Sequence, residues 1–347
     1  MSGVATLGHG GPEMLVWRDD LPVPQAGADE VVIKVAAAAV NNTDINTRIG
    51  WYSKTVTGAT DAMGDLDADD GGWAGTPLSF PLIQGADCCG YIVAVGADVD
   101  PARIGQRVIM RTMQSTGSGN QPFVTDTFGS EYNGGFAQYT KTFDAEAFAV
   151  DDSLNDAEWA AIPCAFSTAE NMLQRASVGA ENVLITGASG GVGAAAVQLA
   201  KMRGATVCAM TQPAKADAVR ALGADHIVGR DDVLPKHHFD VVVDLVGGAA
   251  WPALLDRLKR GGRYVTAGAI AGPMVDLDLR TLYLNDLTLF GSTYQPRRVF
   301  EDLIGYVQAG KLRPAIAANY DLRDIHAAQA AFAAKTHVGK ITLTVPQ

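Results

Sequence analysis

Cysteine is scarce in this chain: four in 347 residues, two of them adjacent at Cys88 and Cys89. That count and spacing exclude a disulfide framework, and a reducing cytoplasm is the expected compartment. Basic charge is also in deficit. Lys and Arg total 27 against 38 Asp and Glu, a formal net charge of −11, which opposes nucleic-acid binding because phosphate contacts need a basic footprint. No uncharged apolar run approaches the roughly 18 residues of a membrane span. Residues 1–14 have neither the basic start nor the apolar core of a signal peptide. Internal repeats and low-complexity tracts are absent as well. What remains is ordinary for a globular chain, 48% hydrophobic and 19% charged, and long enough for two domains, each with its own core.

Residues 182–204, Asn-Val-Leu-Ile-Thr-Gly-Ala-Ser-Gly-Gly-Val-Gly-Ala-Ala-Ala-Val-Gln-Leu-Ala-Lys-Met-Arg-Gly, frame the rest. The β-branched apolar start, 183–186, predicts a buried parallel strand. A glycine turn follows, and then Val192, Ala195, Ala196, Leu199 and Ala200 recur at helical spacing. Strand, glycine turn and helix are the context in which a glycine motif signals a dinucleotide site. Amides at the helix start, with its dipole, favour a pyrophosphate. Ala188, Ser189, Gly190, Gly191, Val192 and Gly193 are the expected contacts: Gly190 admits phosphate to the backbone, Gly193 admits the helix to the strand. Ala188 stands where a first glycine is usual, with Gly187 before it.

A regular series follows: strands at 206–210, 225–228, 239–243, 263–267 and 287–290, with helices at 213–222 and 251–258 between them. Strands alternating with helices predict a doubly wound parallel sheet with right-handed crossovers. Helices at 297–308 and 323–334 and strands at 315–320 and 340–345 are expected to return to the first domain. That domain reads as short strands between glycine turns, a β-barrel-like pattern, with strands near 31–35, 91–95, 104–108 and 134–139. A short helix is expected from Asn42 or Thr43 to Gly50, a polar loop at 114–132, and helical periodicity from 155 to 162. Residues 53–80, rich in Asp, Gly and Thr, read as a long ordered loop or lid. Asp65, Asp67 and Asp69 alternate like a calcium loop, but Asp70 and Thr76 stand where Gly and Glu are needed, so a solvated acidic loop is expected.

The chain resembles the medium-chain dehydrogenase/reductase superfamily, and within it the zinc-free quinone oxidoreductase and enoyl reductase branch. The resemblance rests on Asn41-Asn42-Thr43-Asp44 with Gly50-Trp51-Tyr52, on Gly85-Ala86-Asp87-Cys88-Cys89-Gly90, on Gly134-Gly135-Phe136-Ala137, and on Pro163-Cys164-Ala165-Phe166-Ser167-Thr168-Ala169. Leu222-Gly223-Ala224-Asp225, Gly261-Gly262-Arg263-Tyr264-Val265 and Gly339-Lys340-Ile341 extend it. It implies an α/β chain: a Rossmann domain over 156–294 and a GroES-like β-barrel catalytic domain over 1–155 and 295–347. It also implies a homodimer pairing through the strand at 287–290. Carried over by motif, the superfamily's catalytic zinc ligands fall on Asn41, Ala86 and Cys164, of which only Cys164 keeps a ligand type. The four-Cys structural zinc lobe has no counterpart at 111–128. Cys88 and Cys89 flank the missing His out of register, so no zinc is expected and Cys164 is read as a small buried residue.

Without a Lewis acid, hydride delivery to an activated alkene or quinone remains feasible, because the substrate carbonyl delocalises charge. The resemblance places Asn41, Asp44, Tyr52 and Thr168 near the nicotinamide cleft. Tyr52 is the expected proton donor or carbonyl polariser, or else packs under the lid. Asn41 is expected to orient substrate and Thr168 to meet the nicotinamide ribose or ring, whereas Asp44 more simply bonds backbone at its turn. Further cofactor contacts are expected at Val246, Gly268, Ala269, Gly291 and Ser292. An NAD site carries an acid about 20 residues after the glycine turn; here 210–215 reads Met-Thr-Gln-Pro-Ala-Lys. Thr211 and Lys215 favour a 2′-phosphate, hence NADP(H), the alternative for Lys215 being a solvated helix face. The expected activity is an NADPH-dependent quinone or enone oxidoreductase with an apolar carbonyl or quinone substrate. A 2-enoyl thioester reductase and an NADPH-binding redox sensor or structural protein without turnover are the alternatives. Residues 53–80 could roof the substrate cleft, between Trp51 and Trp73, or form an interdomain or dimer contact.

Overall fold

The computed structural model describes residues 1–61, 70–115 and 123–347. Asp65, Asp67 and Asp69 lie outside those residues. Asn182–Ile185 sits inside a six-stranded parallel sheet whose order is His226–Val228, Thr206–Met210, Asn182–Ile185, Phe239–Asp244, Leu258–Thr266, Thr288–Gly291. Alternation sorts its side chains between two covered faces. Val183, Ile185, Val241 and Val243 join one hydrophobic cluster, and Leu184 and Val242 join another. Strand order reverses beside Asn182–Ile185, so a crevice opens at its carboxyl end.

The other domain is built around Glu30–Ala39. Its mixed sheet runs Ile316–Asp321, Lys340–Thr344, Glu30–Ala39, Asp87–Val95, Arg107–Met110, Ala147–Ala149, with Tyr139–Phe143 pairing the first half of Glu30–Ala39. Val31, Ile33, Val35, Ile92, Val108, Phe136, Ile341 and Leu343 fill its interior. The helix Asn42–Arg48 begins one residue after Asn41, whose backbone N–H is taken by Asp44 Oδ2 at 2.7 Å.

One sequence expectation is corrected, at the polar loop, and two helices appear for which no expectation was made. Residues 163–175 form a helix, Pro163–Arg175, that the periodicity did not announce. The expected polar loop contains an antiparallel ribbon, Met113–Ser115 with Thr125–Thr127. Leu279–Leu284 is a short helix with no buried residue. The helix Arg297–Gln308, expected in the barrel domain, buries Phe300, Leu303 and Val307 in the same cluster as Val183 and Ile185 of the nucleotide sheet. The same cluster takes in Ala37, Cys89, Ile109 and Phe148 of the barrel, with Phe300 against Phe148 at 4.9 Å, so the helix packs between the two domains.

Candidate active site

The glycine turn is shaped by backbone contact. Gly187 has φ 59°, and a Cβ on Gly193 would lie 2.2 Å from the Gly187 carbonyl oxygen and 2.7 Å from Ala188 Cα. Only glycine lets Gly191–Met202 approach this closely, which leaves the amides of its first turn at the crevice. Ala188 is buried; Ser189, Gly190, Gly191 and Val192 reach the surface there. At the end of the second strand, Thr211 is 6% exposed and its Oγ1 has no partner among the described residues. Lys215 is 8% exposed, with Nζ 3.4 Å from Ser189 Oγ. That overturns the solvated-face alternative for Lys215.

Val246 borders the glycine turn, its Cγ2 3.4 Å from where a Cβ on Gly187 would stand. Buried Asp244 accepts from Thr186 Oγ1, Tyr264 Oη and the amides of Val246 and Gly247, which fixes the loop after its strand. Ala271 N donates to Val246 O at 2.8 Å, stitching that loop to the one bearing Gly268 and Ala269. Gly291 and Ser292 line a cavity of about 280 Å³ with Met113, Thr125, Arg175 and Tyr294. Ser292 Oγ accepts from Asn171 Nδ2, and Thr168 Oγ1 donates to Cys164 O while accepting from Gln295 Nε2.

Below the crevice lies a buried polar cluster. Lys340 Nζ donates to Val40 O, to Asn41 Oδ1 at 2.5 Å and to Asp87 Oδ2 at 2.9 Å. Asn41 Nδ2 donates to the same Asp87 oxygen at 2.8 Å, and Asp87 Oδ1 receives Cys164 N at 2.6 Å. Both ends of the Asn41 amide are therefore engaged, and Asn41 positions the ion pair instead of presenting a free amide to substrate. Asp44 bonds backbone, accepting from Asn41 N and Ala86 N. Burial pushes its carboxyl up to about 7, against the pull of those two amides. Sequence reading did not single out Asp87 or Lys340 as site residues; the only signals were the Gly85–Gly90 and Gly339-Lys340-Ile341 motifs.

Tyr52 stands above the cluster. Its Oη donates to Thr43 Oγ1 at 3.1 Å, and burial raises the phenol well above its usual range. Trp73 stacks on it, rings parallel within 3° at 6.1 Å, and Trp51 meets its edge at 5.7 Å. Trp51 Nε1 donates to Gly58 O and Ala59 O, and Thr60 N reaches across the crevice to Ile270 O at 3.2 Å. The described flanks of the insert therefore touch both the tyrosine and a cofactor-side loop.

The donors at the zinc-ligand positions do not fit a catalytic zinc. Ala86 offers a methyl group, the Asn41 amide is spent, and burial raises the Cys164 thiol far above its ordinary value. Both Asp87 oxygens already have donors. Cys88 Sγ lies 3.9 Å from Met110 Sδ, while Cys89 Sγ faces Asp156 instead, so the pair does not converge. Among the described residues, no three His, Cys, Asp or Glu side chains are grouped to hold a metal ion.

Comparison with known proteins agrees with this architecture. Residues 27–152 match the alcohol dehydrogenase GroES-like domain, and residues 191–309 match the zinc-binding dehydrogenase domain. The chain is 29% identical to acryloyl-coenzyme A reductase of Metallosphaera sedula, over 99% of this chain and all of that protein. It is 27% identical to human quinone oxidoreductase, over 94% of this chain and 92% of that one. A crystal structure from Sinorhizobium meliloti 1021, described provisionally as an alcohol dehydrogenase, is 41% identical with a TM-score of 0.90, covering 100% of this chain and 97% of that one. With a GroES-like barrel and a Rossmann sheet enclosing one crevice, the chain belongs to the medium-chain dehydrogenase/reductase family, oxidoreductases that use a nicotinamide dinucleotide.

Proposed function

We propose that this chain is a zinc-independent, NADPH-dependent reductase of quinones or α,β-unsaturated carbonyl compounds. The observation that carries the reading is the buried Lys340–Asp87–Asn41 cluster, which engages two of the positions that match the family's metal ligands, Asn41 through its side chain and Cys164 through its amide. Its carboxylate and amide are already committed to the ammonium, so the activated substrate must supply its own charge delocalisation. The nicotinamide, when bound, supplies a hydride. The first turn of Gly191–Met202 holds the pyrophosphate, and Thr211 and Lys215 receive the 2′-phosphate: an orphan hydroxyl and a cation stand where an acid would select NAD. Tyr52, whose hydroxyl donates to Thr43 in the resting chain, turns that donor to the substrate carbonyl or to the carbanion formed beside it. Trp73 gives the site a flat apolar wall, and the Thr60–Ile270 bond ties the roof to the cofactor side.

Similarity to acryloyl-coenzyme A reductases over the whole chain favours a second reading, a 2-enoyl thioester reductase. The net charge of −11 works against a coenzyme A entrance. The exposed apolar residues Met274, Leu279, Tyr283 and Leu284 beside the edge strand Thr288–Gly291 support a homodimer. Four buried free cysteines suit a reducing cytoplasm.

Steady-state oxidation of NADPH and NADH with a panel of enones, quinones and enoyl thioesters tests the reading. NADPH is expected to give a kcat/KM at least about tenfold higher, and Tyr52→Phe is expected to lower kcat about 100-fold. Equal use of both nucleotides rejects the cofactor assignment. Nucleotide binding without turnover across the panel replaces the reductase with a binding protein.

A further inference from the structure

The aromatic wall beside Tyr52 is held in place by a carboxylate. Trp73 N donates to Ser130 Oγ at 3.2 Å, and Ala74 N donates to Glu131 Oε1 at 2.9 Å. Ser130 Oγ donates in turn to the same Glu131 oxygen at 3.1 Å, and Glu131 Oε2 receives Thr127 N at 2.8 Å. Capping the turn after the strand Thr125–Thr127 needs only the bond to Thr127 N. The other oxygen is spent on a segment 57 residues away in the chain. Gly72 is shaped to that carboxylate: a Cβ there would stand 2.8 Å from Glu131 Oε1 and 2.7 Å from Thr76 O.

The turn is itself rooted beside the buried polar cluster. Phe128 is fully buried, and its N–H donates to Thr112 O at 2.9 Å, while Thr112 Oγ1 donates to Ala86 O at 3.1 Å. Gly129, with φ 82°, has no room for a side chain, since its Cβ would meet Gly85 C at 2.7 Å and Ala86 N at 3.0 Å. Glu131 therefore ties Trp73 to backbone that adjoins Asp87. Three donors on one ionised carboxylate make a stiff joint, because charge-assisted bonds are the strong ones. Trp73 stays half-buried, and among the described residues its ring stacks on Tyr52 alone, so part of the indole is left uncovered.

We propose that Glu131 is a specificity-determining positioning residue, and that the indole it fixes is a subsite for a flat aromatic ring of the substrate. The inference rests on the reductase reading above and narrows its substrate class to enones conjugated with an aryl ring and to fused-ring quinones. A phenolic O–H lies in the plane of its ring, and a carbonyl accepts in its own plane. A substrate carbonyl bonded to Tyr52 thus lies close to the phenol plane, and any ring conjugated with it shares that plane. The indole, parallel to the phenol within 3°, is oriented to stack on such a ring. A small aliphatic enone has no ring to place there. Glu131 does not touch substrate; it acts through Trp73.

The ratio of kcat/KM for benzylideneacetone to that for methyl vinyl ketone tests this in wild type, Glu131→Ala, Trp73→Leu and the double variant, with Glu131→Gln as the conservative change. Glu131→Ala is expected to lower the ratio about fivefold, and Trp73→Leu by as much or more. The double variant is expected to fall no further than Trp73→Leu alone, and Glu131→Gln, which keeps one acceptor oxygen, to lie between wild type and Glu131→Ala. A Glu131→Ala ratio within about twofold of wild type overturns the proposal, as does a double variant in which the two single effects multiply. An unchanged ratio in Trp73→Leu overturns it even if Glu131→Ala does not fold. If the wild type reduces neither ketone, the reductase reading fails, and calorimetric binding of benzylideneacetone to the same proteins carries the comparison. A wild type that neither reduces nor binds benzylideneacetone overturns the subsite, even where methyl vinyl ketone is reduced.

Discussion

Replacing Lys340 by methionine removes one charge and keeps most of the stem, which packs against Gly191 at the start of the phosphate helix. Asp87, with none of its surface exposed, would keep Cys164 N and Asn41 Nδ2 but lose the counter-charge of Lys340. Val40 O and Asn41 Oδ1 would each lose a donor as well. Breaking a buried ion pair from one side costs about 3–5 kcal/mol. For a domain of this size each kcal/mol moves the melting temperature by roughly 2–4 °C, so a fall of roughly 6–20 °C is expected. Asp87→Asn leaves the ammonium buried with no carboxylate and is expected to cost a comparable amount. The double variant Asp87→Asn/Lys340→Met has neither charge, and its loss is expected to fall short of the sum of the two by about 2 kcal/mol or more. Scanning calorimetry on the four proteins measures the cycle. A Lys340→Met melt within about 2 °C of wild type, or strict additivity in the double variant, would refute the reasoning.

Gly193→Ala places a methyl group against backbone at Gly187 and Ala188, neither of which can swing aside; nucleotide affinity is expected to fall at least about tenfold while circular dichroism stays near wild type, both read in one titration series. Asp44 titrates near 7 in the folded chain and near 3.8 unfolded. Between those values the folded state holds a proton that the unfolded state has released, so stability falls as pH rises through that window. Melting temperature against pH is therefore expected to decline more steeply for wild type than for Asp44→Asn, and parallel curves would contradict it. In sedimentation velocity the wild type is expected to run as the proposed dimer and the Leu279→Glu/Leu284→Glu variant as a monomer, with no change in the fold.

The nucleotide sheet was legible because its signals are local. Val183 to Ile185, the glycine turn and the helical spacing after it all lie within twenty-odd residues, and each later strand repeats the pattern. The helix Pro163–Arg175 escaped because its first turns carry Ser167 and Thr168, which usually favour turns; here both hydroxyls fold back onto carbonyls of the preceding turn. The Thr125–Thr127 ribbon escaped because its buried side chains are threonines. Leu279–Leu284 faces solvent, so no core stripe marks it. Lys340 reads in sequence as an ordinary strand residue, and its partner Asp87 lies 253 positions away. The turn containing Lys215 likewise gives no sign of the Lys335 carbonyl that buries its ammonium.

The strand Lys340–Thr344 carries a consequence for biogenesis. It is hydrogen-bonded between Ile316–Asp321 and Glu30–Ala39, so a strand made after the whole nucleotide sheet must slot beside one made before it. During vectorial synthesis the strands of the Rossmann sheet are all made by Gly291, whereas the barrel waits with Ala37–Ala39 lacking their partner strand. A nascent chain stalled before Lys340 would present that open edge to chaperones.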